Sequence, residues 1–172
     1  MKTITINNKD VDIISTPDEL TLAQLKELTN LSKDNGDDDL EKGAKLLKLL
    51  SVNELKQSDI DNIELTDFLT LITSISFDKT DYPIRERFEH NDVVYMLQGN
   101  DVDFKFNYKQ IKGIKKAMTQ DNFNYLHKMA AILYTAPESS RVEREGIFQS
   151  NMTADYMLPL LEILMKTLKI NV

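Results

Sequence analysis

Acidic residues form two short clusters in the first half of the chain, at positions 37–39 and 59–61. Closely spaced carboxylates are the ligands that hard cations such as Ca²⁺ prefer. An EF-hand loop with Gly36 at its sixth position would place Leu31 and Lys33 where oxygen ligands are required. We therefore interpret both clusters as solvated loop and helix-entry residues. A metal-dependent hydrolase that uses these carboxylates is an alternative, but the clusters match no metal-binding motif.

Residues suited to nucleophilic or acid–base catalysis are few. The sequence has no cysteine and two histidines, His90 and His127, and it contains neither an HExxH nor a GxSxG spacing. His127 falls on the surface of a predicted helix, and His90 falls in a predicted loop. The five glycines lie too far apart to build a phosphate-binding loop. We expect no catalytic residue, no cofactor, no metal ligand and no enzymatic activity.

Five lysines lie within residues 105–116, and no acidic residue interrupts them. On a helix, Lys109, Lys112 and Lys116 share one face at spacings i, i+3 and i+7. Lysines along one face are the pattern that binds a phosphate backbone. The lysine-rich helix 105–116 therefore predicts, as an alternative function, a nucleic-acid-binding accessory protein.

The overall charge argues against nucleic acid as the main partner. The net charge is −7, and residues 1–86 carry 18 acidic against 10 basic side chains. Base stacking needs exposed aromatic side chains, whereas Phe104 and Phe106 alternate with polar residues and are expected to be buried. We therefore interpret the lysine face first as a solvated surface that balances the acidic front half.

The stretch from Tyr156 to Met165 is apolar on more than one side of a helix, which is more than a surface helix needs. It predicts a central core helix, a contact with another chain, or both. The flexible side chain of methionine suits an adaptable contact. The candidate partner-binding residues are Tyr156, Met157, Leu160, Leu161, Leu164 and Met165.

Short strands and amphipathic helices must position these residues. Residues 3–6 and 11–13 alternate with period two around turn residues, which predicts an opening β-hairpin. Thr21 and Gln24 have the spacing of a capping box, and leucines three apart follow, which predicts the first helix. Further helices are predicted at 40–50, after Ser51, and at 66–75, the last with Leu65, Phe68, Leu69, Ile72 and Ile75 on one face.

A second hairpin is predicted in the middle of the chain. Residues 93–97 and 102–108 flank Gly99, and the second run alternates apolar and polar residues. Helical spacing returns from Tyr108 onward and continues to residue 133. A helix capped by Ser140 and a last helix through residues 156–168 complete the predicted elements.

Length and composition indicate one folded unit. The chain has 172 residues, of which 41% are hydrophobic and 28% are charged. We expect a helix-dominated α+β fold with two small β-hairpins, in a single domain over residues 1–172. The longest apolar run is shorter than the roughly 20 residues of a membrane span, and the first residues lack the apolar core of a secretion signal. We therefore expect no membrane contact and a cytoplasmic location.

Four stretches of this sequence stand out when they are read in order. They are Ile-Thr-Ile-Asn-Asn-Lys at 4–9, Glu-Leu-Thr-Leu-Ala-Gln-Leu at 19–25, Met-Ala-Ala-Ile-Leu-Tyr at 129–134, and Arg-Glu-Gly-Ile-Phe at 144–148 leading to Leu-Pro at 158–159. In this order, and with a mid-chain hairpin between the second and third, they resemble small proteins from the structural gene blocks of tailed bacteriophages that infect gut bacteria.

The resemblance implies a non-enzymatic role in virion assembly, as a tail-assembly chaperone or as a minor virion component near the portal and tail. It implies other phage structural proteins, of the tail, portal or tape-measure type, as partners. A homo-oligomer of this chain is a further alternative. The protein would act in the host cytoplasm during assembly, and a component retained in the particle would also be found in the virion. Together with the apolar helix faces, this leads us to expect a protein-interaction module.

Overall fold

The computed structural model describes residues 1–7, 9–33, 38–53, 55–74, 82–98, 107–118 and 125–168 of the chain. Within these ranges the chain forms helices and two small antiparallel sheets, which confirms the predicted helix-dominated α+β class. The helices are α1 (Leu22–Lys33), α2 (Asp39–Leu50), α3 (Gln57–Asp61), α4 (Leu65–Ser74), α5 (Tyr108–Met118), α6 (Leu126–Leu133), α7 (Arg141–Asn151) and α8 (Ala154–Leu168). The strands are β1 (Lys2–Ile6), β2 (Lys9–Ile13), β3 (Arg87–His90), β4 (Val93–Leu97) and β5 (Tyr134–Thr135).

The predicted N-terminal hairpin is confirmed. β1 and β2 pair antiparallel in a register that places Ile4 opposite Val11. Asn7 takes a φ of 49°, in the left-handed region that asparagine tolerates better than most residues. The alternation of the two strands buries Ile6, Val11 and Ile13 in a hydrophobic cluster with neighbouring helices. This packing is needed because an isolated two-stranded ribbon is barely stable in water.

The mid-chain hairpin is present, but its partner strand differs from the expected one. β4 pairs antiparallel with β3, the strand before it, through a turn at Asn91 and Asp92 with φ values of 48° and 62°. β5 adds to the other side of β4. His90, which was predicted to lie in a loop, lies in strand β3. This strand pairs along β4 although Phe88 is its only buried residue. Of the expected partner, residues 101–106 lie outside the described residues, and Tyr108 begins α5.

Two of the helices start with side-chain caps that were predicted from the sequence. Thr21 Oγ1 accepts the Gln24 N–H at 3.2 Å, and Gln24 Oε1 accepts the Thr21 N–H at 3.0 Å, which confirms the capping box of α1. Ser140 Oγ accepts the Glu143 N–H at 3.2 Å at the start of α7. The short helix expected directly after Ser51 begins only at residue 57.

The buried side chains form two hydrophobic clusters. The first surrounds the N-terminal hairpin and includes the fully buried Leu47 and Leu50 of α2. The second lies between α6, α7, α8 and the three-stranded sheet. Leu25 of α1 packs against both clusters, while α8 contributes Ala154 to the first and Met157 to the second. Helices α1 and α8 therefore connect the two clusters.

The starts of α1 and α8 are joined by backbone hydrogen bonds. The Leu22 N–H donates to the Met152 carbonyl at 2.9 Å, and the Ala154 N–H donates to the Leu20 carbonyl at 2.7 Å. These bonds satisfy groups at the two helix starts that have no partner inside their own helix. They also fix the position of Asp155 in the first turn of α8.

An aromatic cluster fills the space between the three-stranded sheet and the helices. The ring of Phe148 in α7 lies edge-on to Phe88 of β3 and Tyr95 of β4, with centroids 5.3 and 5.1 Å apart. Tyr134 of β5 meets the same ring at 6.2 Å. Such T-shaped pairs are the favoured geometry of neighbouring aromatic rings. The cluster fixes which face of the sheet points inward.

Candidate functional site

The predicted partner-binding residues of α8 belong mainly to the core. Met157 and Leu160 are fully buried, Leu161 is 7% exposed, and the half-buried Tyr156 packs against the same cluster. Assigning the three buried side chains to a partner surface is therefore wrong, and the core helix, the alternative that the sequence left open, is observed. The side chains of the remaining two, Leu164 and Met165, lie outside the described residues.

Apolar side chains are exposed on the face of the three-stranded sheet that points away from the core. Val94 and Met96 lie two apart in β4, on the side opposite the buried Tyr95, and are 41% and 45% exposed. In the sheet register, Val94 lies opposite Glu89 and Met96 lies opposite Arg87. Arg87 and Glu89 form an ion pair at the surface. We call these four residues the outer sheet face.

The outer sheet face was not predicted as a site from the sequence, although the apolar composition of β4 indicates it. All five residues of β4 are apolar, whereas a strand with one solvated face alternates. Such a run is typical of a strand that is covered on both faces. In the described part of the chain, one of these faces is exposed.

A second apolar patch lies along α4. Of the residues predicted to share one face of this helix, Phe68 is buried, whereas Leu65 and Leu69 are 56% and 47% exposed. Helix α4 packs on α2 through Phe68 and Ile72. Leu65 and Leu69 form the adjacent row of side chains, which lies at the edge of this contact. Ile75, expected on the same face, lies outside the described residues.

The structure places the predicted lysine face on α5. Lys109, Lys112 and Lys116 are exposed, and Ile114 on the other side of the helix is fully buried. Tyr108 begins the helix, one turn before Lys112, and is 81% exposed. The aromatic residues expected in the preceding strand lie outside the described residues. Tyr108 nevertheless supplies an exposed aromatic ring beside the lysines.

A pocket of about 220 Å³ opens where α5, α6 and α7 meet. We call it the basic pocket, and it is lined by Gly113, Lys116, Ala117, Lys128, Arg141 and Glu145. A Cβ on Gly113 would lie 3.1 Å from Ile132 Cδ1, so the glycine allows α5 to approach α6 closely. Arg141 Nε donates to Glu145 Oε1 at 2.9 Å, which uses one of the five N–H donors of the guanidinium. The residues that line the basic pocket come from three successive helices and form no sequence motif.

His127 of α6 lies close to charges of the basic pocket. Its side chain is half-buried, as expected for a residue on a helix surface. Burial lowers the pKa of His127 below its ordinary value, Lys128 and Lys26 lower it further, and Glu145 acts in the opposite direction. Lys128 has a larger influence than Glu145 on this pKa. The local charge near the pocket therefore disfavours an additional positive charge.

Asp155 is a fully buried carboxylate in the first turn of α8. The Thr153 hydroxyl donates to Asp155 Oδ1 at 2.5 Å, and Arg85 Nη2 lies 2.6 Å from Asp155 Oδ2. The Arg85 guanidinium also lies 4.9 Å from the centre of the Tyr156 ring, in cation–π geometry. These contacts tie the segment before β3 to the start of α8.

Tyr134 holds the backbone of the same segment. Its hydroxyl donates to the Arg85 carbonyl at 2.6 Å. Burial raises the pKa of Tyr134, and the negative charge of Asp155 raises it further. A tyrosine with a raised pKa keeps its proton at neutral pH, so it acts here as a hydrogen-bond donor. We therefore interpret Arg85, Asp155 and Tyr134 as a structural cluster.

The acidic clusters contribute to helix starts and surface pairs. Asp38 accepts the Glu41 N–H at 2.7 Å as the N-cap of α2. Lys9 donates to Asp59 at 3.2 Å, and this bond lowers the pKa of Asp59. Position 37 lies outside the described residues. In the described ranges, no three histidine, aspartate or glutamate side chains converge as a metal site would require.

Comparisons of the chain with protein-family models, with curated proteins and with solved structures give no match. Among the residues that the structure describes, no helix combines the length and the apolar character that crossing a membrane requires. The functional interpretation therefore depends on the exposed surfaces of this chain, above all the outer sheet face, the lysine face of α5 and the basic pocket.

Proposed function

We propose that this protein is a protein-interaction module without enzymatic activity, which serves virion assembly in a tailed phage. It would act as a tail-assembly chaperone or as a minor virion component near the portal and tail, with other phage structural proteins as partners. The observation that carries the interaction role is the outer sheet face, where Val94 and Met96 are exposed on a strand held between two others. The phage setting rests on the resemblance of the four sequence stretches.

The outer sheet face has the make-up of a small binding surface. Its apolar centre is flanked by the paired charges of Arg87 and Glu89, as an interface core is flanked by a polar rim. Val94 and Met96 each leave more than two fifths of their surface in solvent, so covering both contributes about 2 kcal/mol, or roughly 30-fold in affinity. The strand is already ordered between its neighbours, so binding need not order it.

The stretches that resemble phage proteins lie mainly in the core and at helix starts. Thr21 and Gln24 form the cap of α1, whereas Met129, Leu133 and Tyr134 are fully buried. Such residues specify how a chain folds. A partner would meet surface residues elsewhere, and the outer sheet face is separate from these stretches.

Complementation of a phage that lacks this gene tests the proposal. The variant carrying Val94→Lys and Met96→Lys places two charges on the outer sheet face and should lower the yield of tailed particles. Val142→Lys is the matched control, because Val142 is also apolar and 80% exposed but lies on α7. Both variants should keep the far-UV circular dichroism of the wild-type protein, since they change exposed side chains.

Full complementation by the sheet variant would contradict the role of this face. If the wild-type protein were dispensable for particle formation, the assembly function itself would be wrong. Quantifying the protein in infected cells and in purified particles then separates the two forms of the proposal. A chaperone is expected in the cells alone, whereas a virion component has a fixed copy number per particle.

Nucleic-acid binding is a second candidate function, favoured by the exposed Tyr108. An aromatic ring beside lysines can stack on a base while the lysines contact phosphates. Tyr108 precedes Lys112 by one turn, and Lys109 and Lys116 extend the same basic surface. The ring exposure is the feature that the sequence alone did not predict.

Binding of a fluorescent single-stranded oligonucleotide at several salt concentrations tests this candidate. Each lysine that contacts a phosphate contributes about 0.7 to the slope of log K against log salt. Changing Lys109, Lys112 and Lys116 to Gln should therefore reduce the slope by about 2, and Tyr108→Ala should weaken binding with the slope unchanged. Absence of binding by the wild-type protein at low salt would rule the candidate out.

A further inference from the structure

We infer that two copies of this chain associate edge to edge through strand β3. Among the described strands, β3 forms one edge of the three-stranded sheet, with β4 on its inner side. An edge strand offers unpaired backbone N–H and C=O groups that a second strand can bind. The contact involves the edge of the sheet and a second copy of the chain, so it goes beyond the proposed function and does not depend on it.

The ladder between β3 and β4 shows which backbone groups of β3 point to the open edge. The Leu97 N–H donates to the Glu86 carbonyl at 2.7 Å, and the register of the hairpin places these two residues opposite each other. Hydrogen-bonded and non-hydrogen-bonded pairs alternate along an antiparallel ladder, so Phe88 is the next residue that bonds to β4. The N–H and C=O groups of Arg87 and Glu89 therefore point away from β4. Within the described part of the chain, no backbone hydrogen bond reaches these groups.

Charges along this edge match a second copy of the same strand. Residues 86–90 read Glu-Arg-Phe-Glu-His, so each acidic side chain exchanges places with arginine or histidine when the segment is reversed about Phe88. An antiparallel second copy in this register brings Arg87 opposite Glu89, and it brings Glu86 opposite His90, whose ring N–H can donate to a carboxylate. Opposite charges across a strand pair stabilise it, and like charges destabilise it. The charges therefore favour a second copy in one particular register.

The same register satisfies the open backbone groups. With Phe88 on a two-fold axis, Arg87 of each copy and Glu89 of the other form a hydrogen-bonded pair, in which both N–H groups and both C=O groups bond. The two-fold axis generates this pair twice. The outward-pointing backbone groups of Arg87 and Glu89 then have partners in both copies. Backbone geometry and side-chain charge thus select the same arrangement.

The ion pair within one chain is compatible with this contact. Arg87 Nη2 bonds to Glu89 Oε1, and the two side chains are 67% and 53% exposed. In the dimer the four charges alternate in sign around a ring, because each carboxylate lies between the arginine of its own chain and that of the second copy. A guanidinium has five N–H donors, so it can bind both carboxylates. Residues opposite each other in an antiparallel pair point to the same side, so the two outer sheet faces become continuous.

Sedimentation velocity of the full-length protein at low salt, from about 10 μM to 1 mM, covers the range in which small contacts associate. The wild-type protein should shift with concentration from 19.8 kDa toward twice that mass. Arg87→Glu and Glu89→Arg each place like charges opposite each other at two symmetric positions, so each should raise the dissociation constant about 30-fold. Arg141→Glu is the matched control for Arg87→Glu, because it changes the net charge equally and breaks an ion pair on α7. It should change the dissociation constant by less than about twofold.

An equimolar mixture of the Arg87→Glu and Glu89→Arg variants separates the dimer contact from the ion pair within each chain. One variant then carries two acidic residues at positions 87 and 89 and the other carries two basic residues, so the mixed pair restores both attractions across the contact. With a fluorescent label on the Glu89→Arg variant, the mixture should associate about as tightly as the wild type. A mixture of labelled Glu89→Arg with Arg141→Glu has the same net charges and should associate more weakly.

Two further measurements make the result decisive. Far-UV circular dichroism should be unchanged in every variant, because the substitutions affect exposed side chains. The double variant Arg87→Glu, Glu89→Arg keeps an ion pair within the chain and should dimerise as the wild type does. A wild-type protein that stays monomeric up to about 1 mM overturns the inference. Dimers that survive both single substitutions, or a mixture of the two variants that stays monomeric, overturn it as well.

Discussion

Arg85 is expected to contribute far more to stability than a typical surface arginine, because its partner Asp155 is fully buried. Removing one member of a buried ion pair destabilises a protein by about 3–5 kcal/mol, since the other charge stays buried without compensation. The Arg85 side chain is 44% exposed, which places the expected loss at the low end, about 3 kcal/mol. For a chain of this length the melting temperature should fall by about 6–12 °C.

Arg87 offers a matched control two residues away. Its ion pair with Glu89 is exposed on both sides, at 67% and 53%, so Arg87→Ala should cost at most about 1 kcal/mol. Urea unfolding followed by far-UV circular dichroism measures both variants against the wild type. In a background of Asp155→Asn, the loss caused by Arg85→Ala should shrink below about 1 kcal/mol, because no buried charge is left unpaired. Equal losses for Arg85→Ala and Arg87→Ala would refute this account of the cluster.

Three further results are expected from the structure. Gly146→Ala should stabilise α7 by about 1 kcal/mol in urea unfolding, because its Cβ meets no atom within 4 Å, whereas Gly43→Ala should lose this gain because its Cβ would lie 3.0 Å from Phe68 Cζ. Leu160→Ala should lower the free energy of unfolding by about 2–5 kcal/mol, and a loss below 1 kcal/mol would contradict its position in the core. The lowered pKa of His127 means that the unfolded chain takes up a proton near pH 6.5 before the folded protein does, so stability should decrease as the pH falls below about 6.5, with a slope of up to about 1.4 kcal/mol per pH unit. His127→Gln should reduce this slope, and an unchanged pH profile would show that the histidine titrates alike in both states.

Local sequence patterns predicted the elements whose signals are local. The N-terminal hairpin follows from period-two alternation around Asn7, and the start of α1 follows from the spacing of Thr21 and Gln24. The interactions that form these features involve neighbours a few residues apart. Their geometry is therefore encoded in short stretches, and the structure agrees with it.

Features that depend on distant residues were not predictable in the same way. Strand β3 contains a single buried apolar residue, Phe88, so its pairing with β4 leaves only a weak alternation in the sequence. The apolar excess of α8 indicated a core helix or a partner surface, and only the packing of Met157 and Leu160 distinguishes the two. The basic pocket joins side chains of three successive helices whose packing is not a local property, so no spacing rule could assemble it.

The central claim is that the outer sheet face binds another protein during virion assembly. Site-specific photo-crosslinking in infected cells, with the crosslinking amino acid in place of Met96, tests it most directly. The same amino acid in place of Val142 is the control, because that residue is exposed on a different helix. We expect position 96, and not position 142, to crosslink to one phage structural protein. Crosslinks from both positions to the same proteins, or none from position 96, would contradict the claim.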